Sequence, residues 1–219
     1  MLTNWVRGRS PSFRDRSEWK KAIRTLAAFH HHAEGIVLHD IPAGRERFGS
    51  LPNLIEQYRH TISEYTGLVD VNAYLSLCDY ATHFLHQQKS VEATNREASV
   101  QAFVHGDNKY PNLVIDRNGS IHLIDLENTS LQARMTDLAH ILHRNFCWNG
   151  DEMARWIAYY DRIRPISSED RHLLFALLHA PYPLIRAIRL NKSPIKVRKT
   201  LPPTRMIEQY VNALRAILN

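Results

Sequence analysis

The chain has 219 residues, of which 44% are hydrophobic and 23% are charged, and its formal net charge is +6. This length and composition predict one large globular domain or two small ones, and they exclude collagen-like, coiled-coil and disordered chains. Cys78 and Cys147 lie far apart in the sequence, so neither a disulfide framework nor a thiolate metal site is supported. The longest apolar run, 172–185, is broken by prolines and is shorter than the roughly 20 residues of a membrane span. No membrane span or secretion signal is predicted, and a cytoplasmic location is expected.

Apolar residues recur at helical spacing in the first part of the chain and predict a helical subregion over residues 17–88. Ser17 is a candidate N-cap for its first helix, which is expected to run to about residue 32 and to stop at Gly35. The polar stretch 87–98 lacks a comparable pattern and is predicted to be a loop. Between them, two further periodic runs predict the second and third helices, 54–65 and 71–85.

Three consecutive histidines, residues 30–32, stand near the end of the first predicted helix. Neighbouring helical residues point about 100° apart, so the three rings cannot readily share one metal ion. We therefore expect one packed histidine and two exposed ones.

The middle of the chain, residues 100–128, has a different pattern. Apolar residues alternate on both sides of Asn118-Gly119, which is a strong hairpin signal, so residues 112–125 are predicted to form two short antiparallel strands. Helical spacing then returns over residues 136–219. The candidate helices there start at Thr136, at Ser167 or Ser168 and at Thr204, with another around Trp156. The sequence thus predicts an α+β domain that is mostly helical and has one short central β-hairpin.

Polar side chains cluster around the predicted hairpin. Asp107 and Asn112 lie on the segment that enters its first strand, and Asp125 follows its second strand. Because the two ends of a hairpin meet at one edge, we expect these three side chains to converge. Their oxygens suit a hard cation such as Mg²⁺, and a phosphoryl-transfer site needs both this cation and a carboxylate that orients the attacking hydroxyl. The alternative is a pair of hydrogen-bonded turns, since Asp and Asn are common turn residues.

The order of these residues carries a resemblance to a known family. An Asp, an Asn five residues later and an Asp after a hairpin are written here as HGDxxxxN and IDxE, as in the catalytic and metal-binding loops of kinase-like enzymes. The segment HGDNKYPNLVID…IHLIDLENTSLQARMTDLAHIL resembles the aminoglycoside phosphotransferase and choline kinase branch of that fold. Within this branch, WVRGR, LAAFHHHAEGI and HAPYPLIRAIRLNKSPIKVRKT resemble the spore-coat (CotS-type) kinase-like family of endospore-forming bacteria.

The resemblance implies a role for each matching residue. It makes Asp107 the catalytic residue and makes Asn112 and Asp125 the metal ligands, with Mg²⁺ and ATP as the cofactors. Three further residues have supporting roles in it: His105 beneath the catalytic loop, Asp137 as a structural anchor, and Glu127 either in the metal site or beside it.

The chain begins with LTNWVRG after its first Met, and this segment resembles the hinge between the two lobes of a kinase-like fold. The resemblance therefore implies the C-terminal lobe alone, with residues 1–9 as a hinge-like segment and the β-rich N-lobe absent. It implies that Leu2, Asn4 and Trp5, together with Asn112, lie at the nucleotide-binding site. Because an N-lobe supplies the phosphate-covering loop and a Lys, we expect the 219 residues to fold but not to turn over ATP. The uncovered hinge surface is expected to invite self-association or a partner.

The excess positive charge lies in the last third, where residues 151–219 hold 12 Lys and Arg against 6 Asp and Glu. In the resembling family the substrate-side helices follow the catalytic core, so Arg186, Arg189 and Lys192 are candidate contacts on the acceptor side. A neutral or anionic acceptor is expected there, and a solvated basic face is the alternative. No recognition-helix motif points to nucleic acid.

Two functions of different classes remain open. The first is an ATP- and Mg²⁺-dependent phosphotransferase for a hydroxyl of a small molecule or coat polymer, inactive without an N-lobe. The second is a non-catalytic spore-coat or scaffold component that keeps the same fold. Nucleotide binding distinguishes them, and the resemblance adds the spore coat as an alternative location.

Overall fold

The computed structural model describes residues 5–12, 14–35, 44–66, 70–107, 112–191 and 193–218. Within these ranges the chain is mostly helical with five short strands, as the sequence predicts. The helices are α1 (Arg16–His32), α2 (Leu51–Ser63), α3 (Asn72–Leu85), α4 (Gln88–Ser99), α5 (Met135–Asn145), α6 (Gly150–Ile163), α7 (Ser168–His179), α8 (Tyr182–Asn191), α9 (Pro194–Thr200) and α10 (Thr204–Leu214). The strands are β1 (Gly8–Arg9), β2 (Phe103–Val104), β3 (Leu113–Asp116), β4 (Ile121–Leu123) and β5 (Ser130–Leu131). Leu2, Asn4 and Lys192 lie outside the described residues.

The predicted hairpin is confirmed. Strands β3 and β4 pair antiparallel with Leu113 opposite Leu123, and Gly119 in the turn has a φ of 77°. Strand β1 is not predicted from the sequence, and it adds a third strand through the antiparallel pairing of Gly8 with Asp116. A Cβ on Gly8 would lie 2.0 Å from the carbonyl oxygen of Ile115, so only glycine permits this close approach.

A second small sheet positions the site. Strands β2 and β5 pair antiparallel, with Phe103 opposite Leu131 and Val104 opposite Ser130. This pairing places the loop that follows β2 beside the segment that connects β4 to β5. The two polar loops identified in the sequence are therefore neighbours.

Helix α7 is the centre of the helical core and packs against α3, α4 and α5. Its residues Leu173, Leu174 and Leu178 are fully buried, as expected for a helix that is apolar on several faces. Residues 168–191 are long and apolar enough to cross a membrane by composition, but they form α7 and α8 with a break between them, and 72% of the apolar window is buried inside the protein. This burial is typical of core helices.

Two local predictions are wrong. The stretch 87–98 is not a loop but forms most of α4. The buried face of α4 consists of Ser90, Ala93 and Glu97, which are small or charged, so its helical period is invisible to a hydrophobicity pattern. The N-cap of α1 is Asp15 rather than Ser17, because its side chain accepts a hydrogen bond from the backbone N–H two residues later.

The histidine prediction is confirmed. His30 is completely buried, while His31 and His32 are exposed. The buried ring has a specific role in the site described below.

Candidate active site

The loop after β2 carries His105, Gly106 and Asp107 and turns sharply at its glycine. Gly106 has a φ of 75°, which L side chains rarely adopt. A Cβ at this position would also lie 2.2 Å from the carbonyl oxygen of Asn128. Glycine is therefore required both by the turn and by the close passage of the neighbouring loop.

Asp137, in the first turn of α5, holds this loop from below. Its Oδ2 accepts a hydrogen bond from the backbone N–H of His105 at 2.7 Å, and its Oδ1 accepts one from the N–H of Gly106 at 2.9 Å. Burial alone would raise the pKa of Asp137, but these bonds and one from His30 outweigh it, so the pKa of this carboxyl is lowered. The carboxylate is charged at neutral pH and is used to fix the loop backbone.

His30 supports Asp137 from the other side. Its Nε2 donates to Oδ2 of Asp137 at 3.2 Å, and its Nδ1 accepts from the hydroxyl of Tyr160 at 2.7 Å. Burial lowers the pKa of His30, and one neutral tautomer satisfies both contacts. A chain of hydrogen bonds thus runs from α6 through α1 and α5 to the loop.

His105 ties the two loops together. Its Nδ1 accepts the backbone N–H of Asp107 at 3.3 Å, and its Nε2 donates to the carbonyl of Ile124 at 3.0 Å. Ile124 directly precedes Asp125. This buried ring therefore connects the loop of residues 105–107, here called the catalytic-type loop, to the segment after β4.

Asp107 and Asn112 are in direct contact, whereas convergence of the Asp125 side chain with them remains a prediction. The side-chain Nδ2 of Asn112 donates to the backbone carbonyl of Asp107 at 2.9 Å and to its carboxylate Oδ2 at 3.2 Å. Asn112 is buried, and its backbone carbonyl accepts a hydrogen bond from the backbone N–H of Ile124 at 3.0 Å. Asp107 is half-buried at the edge of this arrangement.

Asp125 follows β4 in a left-handed conformation, with φ 63° and ψ 66°. Such a conformation is uncommon outside glycine, although Asp and Asn adopt it more readily than other residues. Its side chain is exposed, as is that of Glu127. Arg45 holds the same segment by donating to the backbone carbonyls of Glu127 and, at 3.1 Å, of Thr129. The role of the Glu127 carboxylate remains a prediction.

The oxygen donors fit Mg²⁺. Among the residues that the structure describes, no three His, Cys, Asp or Glu side chains group as a metal site. Magnesium does not need such a group, because one or two protein carboxylates with substrate phosphates commonly bind it. Asn112 turns its amide nitrogen towards Asp107, which leaves its carboxamide oxygen as a candidate ligand. The Asp125 carboxylate is the other candidate, and its role as a ligand remains a prediction.

A cavity of about 540 Å³ adjoins the loop. Gly106 and Asp137 form one part of its wall. The rest comes from α2 and the segment before it that carries Arg47, from α5 and the segment before it that carries Gln132, and from the α7–α8 junction. This volume lies within the range of about 300–1,000 Å³ that is usual for small-molecule sites. Arg186 and Arg189 are not among its described lining residues. Their role on the acceptor side remains a prediction.

Sequence reasoning missed a buried ionic cluster behind the site. Arg134, which precedes α5, donates from Nε to Glu97 at 2.6 Å and from Nη1 to Glu34 at 2.8 Å. The cluster connects α4 and the end of α1 to the start of the helix that carries Asp137. These charges are far apart in the sequence, so no local signal could identify the pairing.

Trp5 belongs to the predicted hinge-like segment. Its side chain is 87% exposed and is the most exposed of the large apolar side chains that the structure describes. Its contact with a nucleotide, and self-association through this surface, remain predictions.

The comparisons with known proteins agree with the resemblance at the level of the phosphotransferase family. Residues 1–169 match the model of a family described as "APH: Phosphotransferase enzyme family". The structure is similar to that of an aminoglycoside phosphotransferase from Alicyclobacillus acidocaldarius, with 18% identity and a TM-score of 0.76 over 98% of this chain and 70% of the other. An ethanolamine kinase from Plasmodium vivax aligns with 18% identity and a TM-score of 0.45 over 98% of this chain and 62% of the other. No curated protein matches the sequence. The predicted kinase-like fold is confirmed.

Proposed function

Because the chain belongs to the phosphotransferase enzyme family, we propose that it takes part in transfer of a phosphoryl group from Mg²⁺-ATP to a hydroxyl of an acceptor molecule. One observation carries this proposal. The loop that bears Asp107 is fixed by Asp137 and lies in contact with Asn112, beside a cavity large enough for a small molecule.

In this proposal Asp107 orients the acceptor hydroxyl and accepts its proton. The hydrogen bond from Asn112 to Oδ2 keeps the carboxylate in one orientation. The remaining oxygen of Asn112 and the carboxylate of Asp125 would hold Mg²⁺, which when bound neutralises charge on the nucleotide phosphates. Catalysis would rest mainly on positioning, which comes from the hydrogen bonds that Asp137 accepts from the loop backbone and from those that His105 forms between the two loops.

The proposal extends to the spore-coat type of the family. Its support is the three segments quoted above, WVRGR, LAAFHHHAEGI and the basic stretch from His179 to Thr200. Immunolocalisation in sporulating cells tests this part, since coat labelling supports it and label confined to the cytoplasm of vegetative cells contradicts it.

Thermal unfolding with and without Mg²⁺-ATP tests nucleotide binding. Ligand at 100 times its dissociation constant stabilises a protein by about 2.7 kcal/mol, which is roughly 5–10 °C for a chain of this size. The shift should shrink in Asp125→Asn and persist in Asp151→Asn, a change of an exposed acid on α6. An unchanged melting temperature at all nucleotide concentrations would contradict the proposal and favour the scaffold hypothesis.

The role of Asp107 is tested by turnover. In a form of the protein completed by an N-lobe, we expect Asp107→Asn to keep nucleotide binding and to lower phosphoryl transfer by about a hundredfold or more, as for loss of a positioned general base. Equal turnover in the variant and the wild type would refute the assignment.

A further inference from the structure

The cavity beside the loop has an unusual charge balance for a site that would bind an amine. Among its described lining residues Asp137 is the one carboxylate, and both of its oxygens are already bonded to the loop backbone. Arg47 lies in the wall, and Arg144 donates to the hydroxyl of Tyr182, another wall residue, at 3.3 Å. A cationic ligand would therefore meet Arg47 and no free carboxylate among the described lining residues.

One wall residue has an unsatisfied polar atom. His143 is 3% exposed, and its Nε2 donates to the carbonyl of Leu177 at 3.2 Å, so the proton resides on that nitrogen. Burial lowers the pKa of His143 to about 4, and the ring is neutral at physiological pH. Its Nδ1 then carries a lone pair, and this buried atom has no hydrogen-bond partner in the part of the chain that the structure describes.

Buried polar atoms without partners are rare in folded proteins and point to a bound molecule or an ordered water. The Nδ1 lone pair can only accept a hydrogen bond, so the ligand must supply the donor. A hydroxyl is a small hydrogen-bond donor, and it is also the group to which the phosphoryl group would be transferred. His143 lines the cavity, whereas Nδ1 itself is buried, so a hydroxyl reaches this atom only after a side-chain shift at the wall. The cavity is also lined by two aromatic residues, Tyr58 and Tyr182, and aromatic rings can pack against the C–H face of a sugar.

Resting on the function proposed above, we propose that this cavity binds the acceptor, and that the acceptor is a sugar or polyol without positive charge, one hydroxyl of which donates to Nδ1 of His143. Specificity against amines then comes from the absence of a free carboxylate in the described wall and from Arg47. Tolerance of an anionic substituent follows from the same arginine.

Three sugars with the same ring separate the possibilities: glucose, glucuronate and glucosamine are neutral, anionic and cationic. Calorimetric titration of the full chain, without nucleotide, should show saturable binding of glucose and glucuronate, with glucosamine at least tenfold weaker than glucuronate. Arg47→Glu should reduce or reverse that ratio. Glucosamine binding as tightly as glucuronate, or no saturable binding of any of the three, would overturn the proposal.

His143→Phe should weaken glucose and glucuronate roughly three- to tenfold, which corresponds to one lost hydrogen bond. His179→Phe is the matched control, because His179 is equally buried but bonds to the carbonyl of Phe175 and does not line the cavity. If His143→Phe does not fold, ¹⁵N spectra of the wild type decide instead. The Nδ1 resonance of His143 should move on saturation with glucuronate, and a stationary resonance would contradict the assignment.

Failure of this proposal can be told apart from failure of the proposed function. Sugar binding without a response to Mg²⁺-ATP leaves the cavity assignment intact and removes the phosphotransferase proposal. A thermal shift with Mg²⁺-ATP but no sugar binding would remove the cavity assignment and leave the phosphotransferase proposal intact.

Discussion

Replacement of Asp137 by asparagine tests how the catalytic-type loop is held. The carboxylate is buried, with 1% of its side chain exposed, and accepts three hydrogen bonds at 2.7, 2.9 and 3.2 Å. In Asp137→Asn one oxygen becomes an NH₂ group, which then faces a backbone N–H donor of the loop. Two donors in contact repel, and the loss of the charge also leaves the remaining bonds weaker.

The magnitude follows from these contacts. Disrupting one partner of a buried charged network typically costs about 3–5 kcal/mol, against a total stability of about 5–15 kcal/mol for a domain. With a urea m-value of about 2–3 kcal/mol/M, the unfolding midpoint should fall by roughly 1–2 M. The free energy of unfolding would be measured by urea denaturation at pH 7, followed by circular dichroism.

Asp151→Asn is the matched control for this change. Asp151 lies in the first turn of α6 as Asp137 lies in the first turn of α5, so both substitutions remove an acid from a helix N-terminus, but Asp151 is exposed. The control should cost about 0.3–1 kcal/mol. If Asp137→Asn costs no more than the control, the carboxylate does not hold the loop and the argument fails.

Two further predictions concern pH and the loop glycine. Burial lowers the pKa of both His143 and His179 to about 4, so between pH 6.5 and 4 the unfolded chain binds more protons than the folded chain and stability falls as the pH falls. Each histidine should lower the free energy of unfolding by about 2 kcal/mol between pH 7 and pH 5, which urea denaturation at both pH values measures. In His179→Phe about half of this combined loss of stability should disappear. A loss that is unchanged in the variant contradicts the assignment. Gly106→Ala should destabilise by about 1–3 kcal/mol and impair turnover, because the new Cβ meets a backbone carbonyl 2.2 Å away. Gly119→Ala is the control, because Gly119 has a similar φ of 77° but a Cβ there would meet only the flexible end of a lysine side chain. If both variants lose the same stability, contact with the Asn128 carbonyl is not the cause.

The parts of the site that the sequence predicted are those with local signals. The turn residues Asn118 and Gly119 mark the hairpin, and its geometry alone brings Asn112 towards the segment that bears Asp125. The structure adds the contact between Asn112 and Asp107 that this geometry implies. In each case the separation along the chain is short, so the turn chemistry is sufficient.

The parts that could not be predicted depend on distant pairings. The sequence predicts one packed histidine among residues 30–32, but the bond of His30 to Asp137 spans 107 residues and leaves no pattern. Helix α4 was missed because it buries Glu97 against Arg134 in place of an apolar stripe. The cavity is formed by three separate helical regions and becomes visible only when their packing is known.

The acids of this site have different surroundings, and their surroundings separate their roles. Asp137 has both oxygens engaged by backbone N–H groups and is closed to solvent, so it can hold the loop but cannot accept a proton from a ligand. Asp125 is exposed and held in a left-handed turn, where its carboxylate is available to a cation. Asp107 lies between these extremes, half-buried, oriented by Asn112, and attached to the glycine that forms part of the cavity wall. Spacing in the sequence identifies the three acids, and burial and hydrogen bonding decide which of them can meet the substrate.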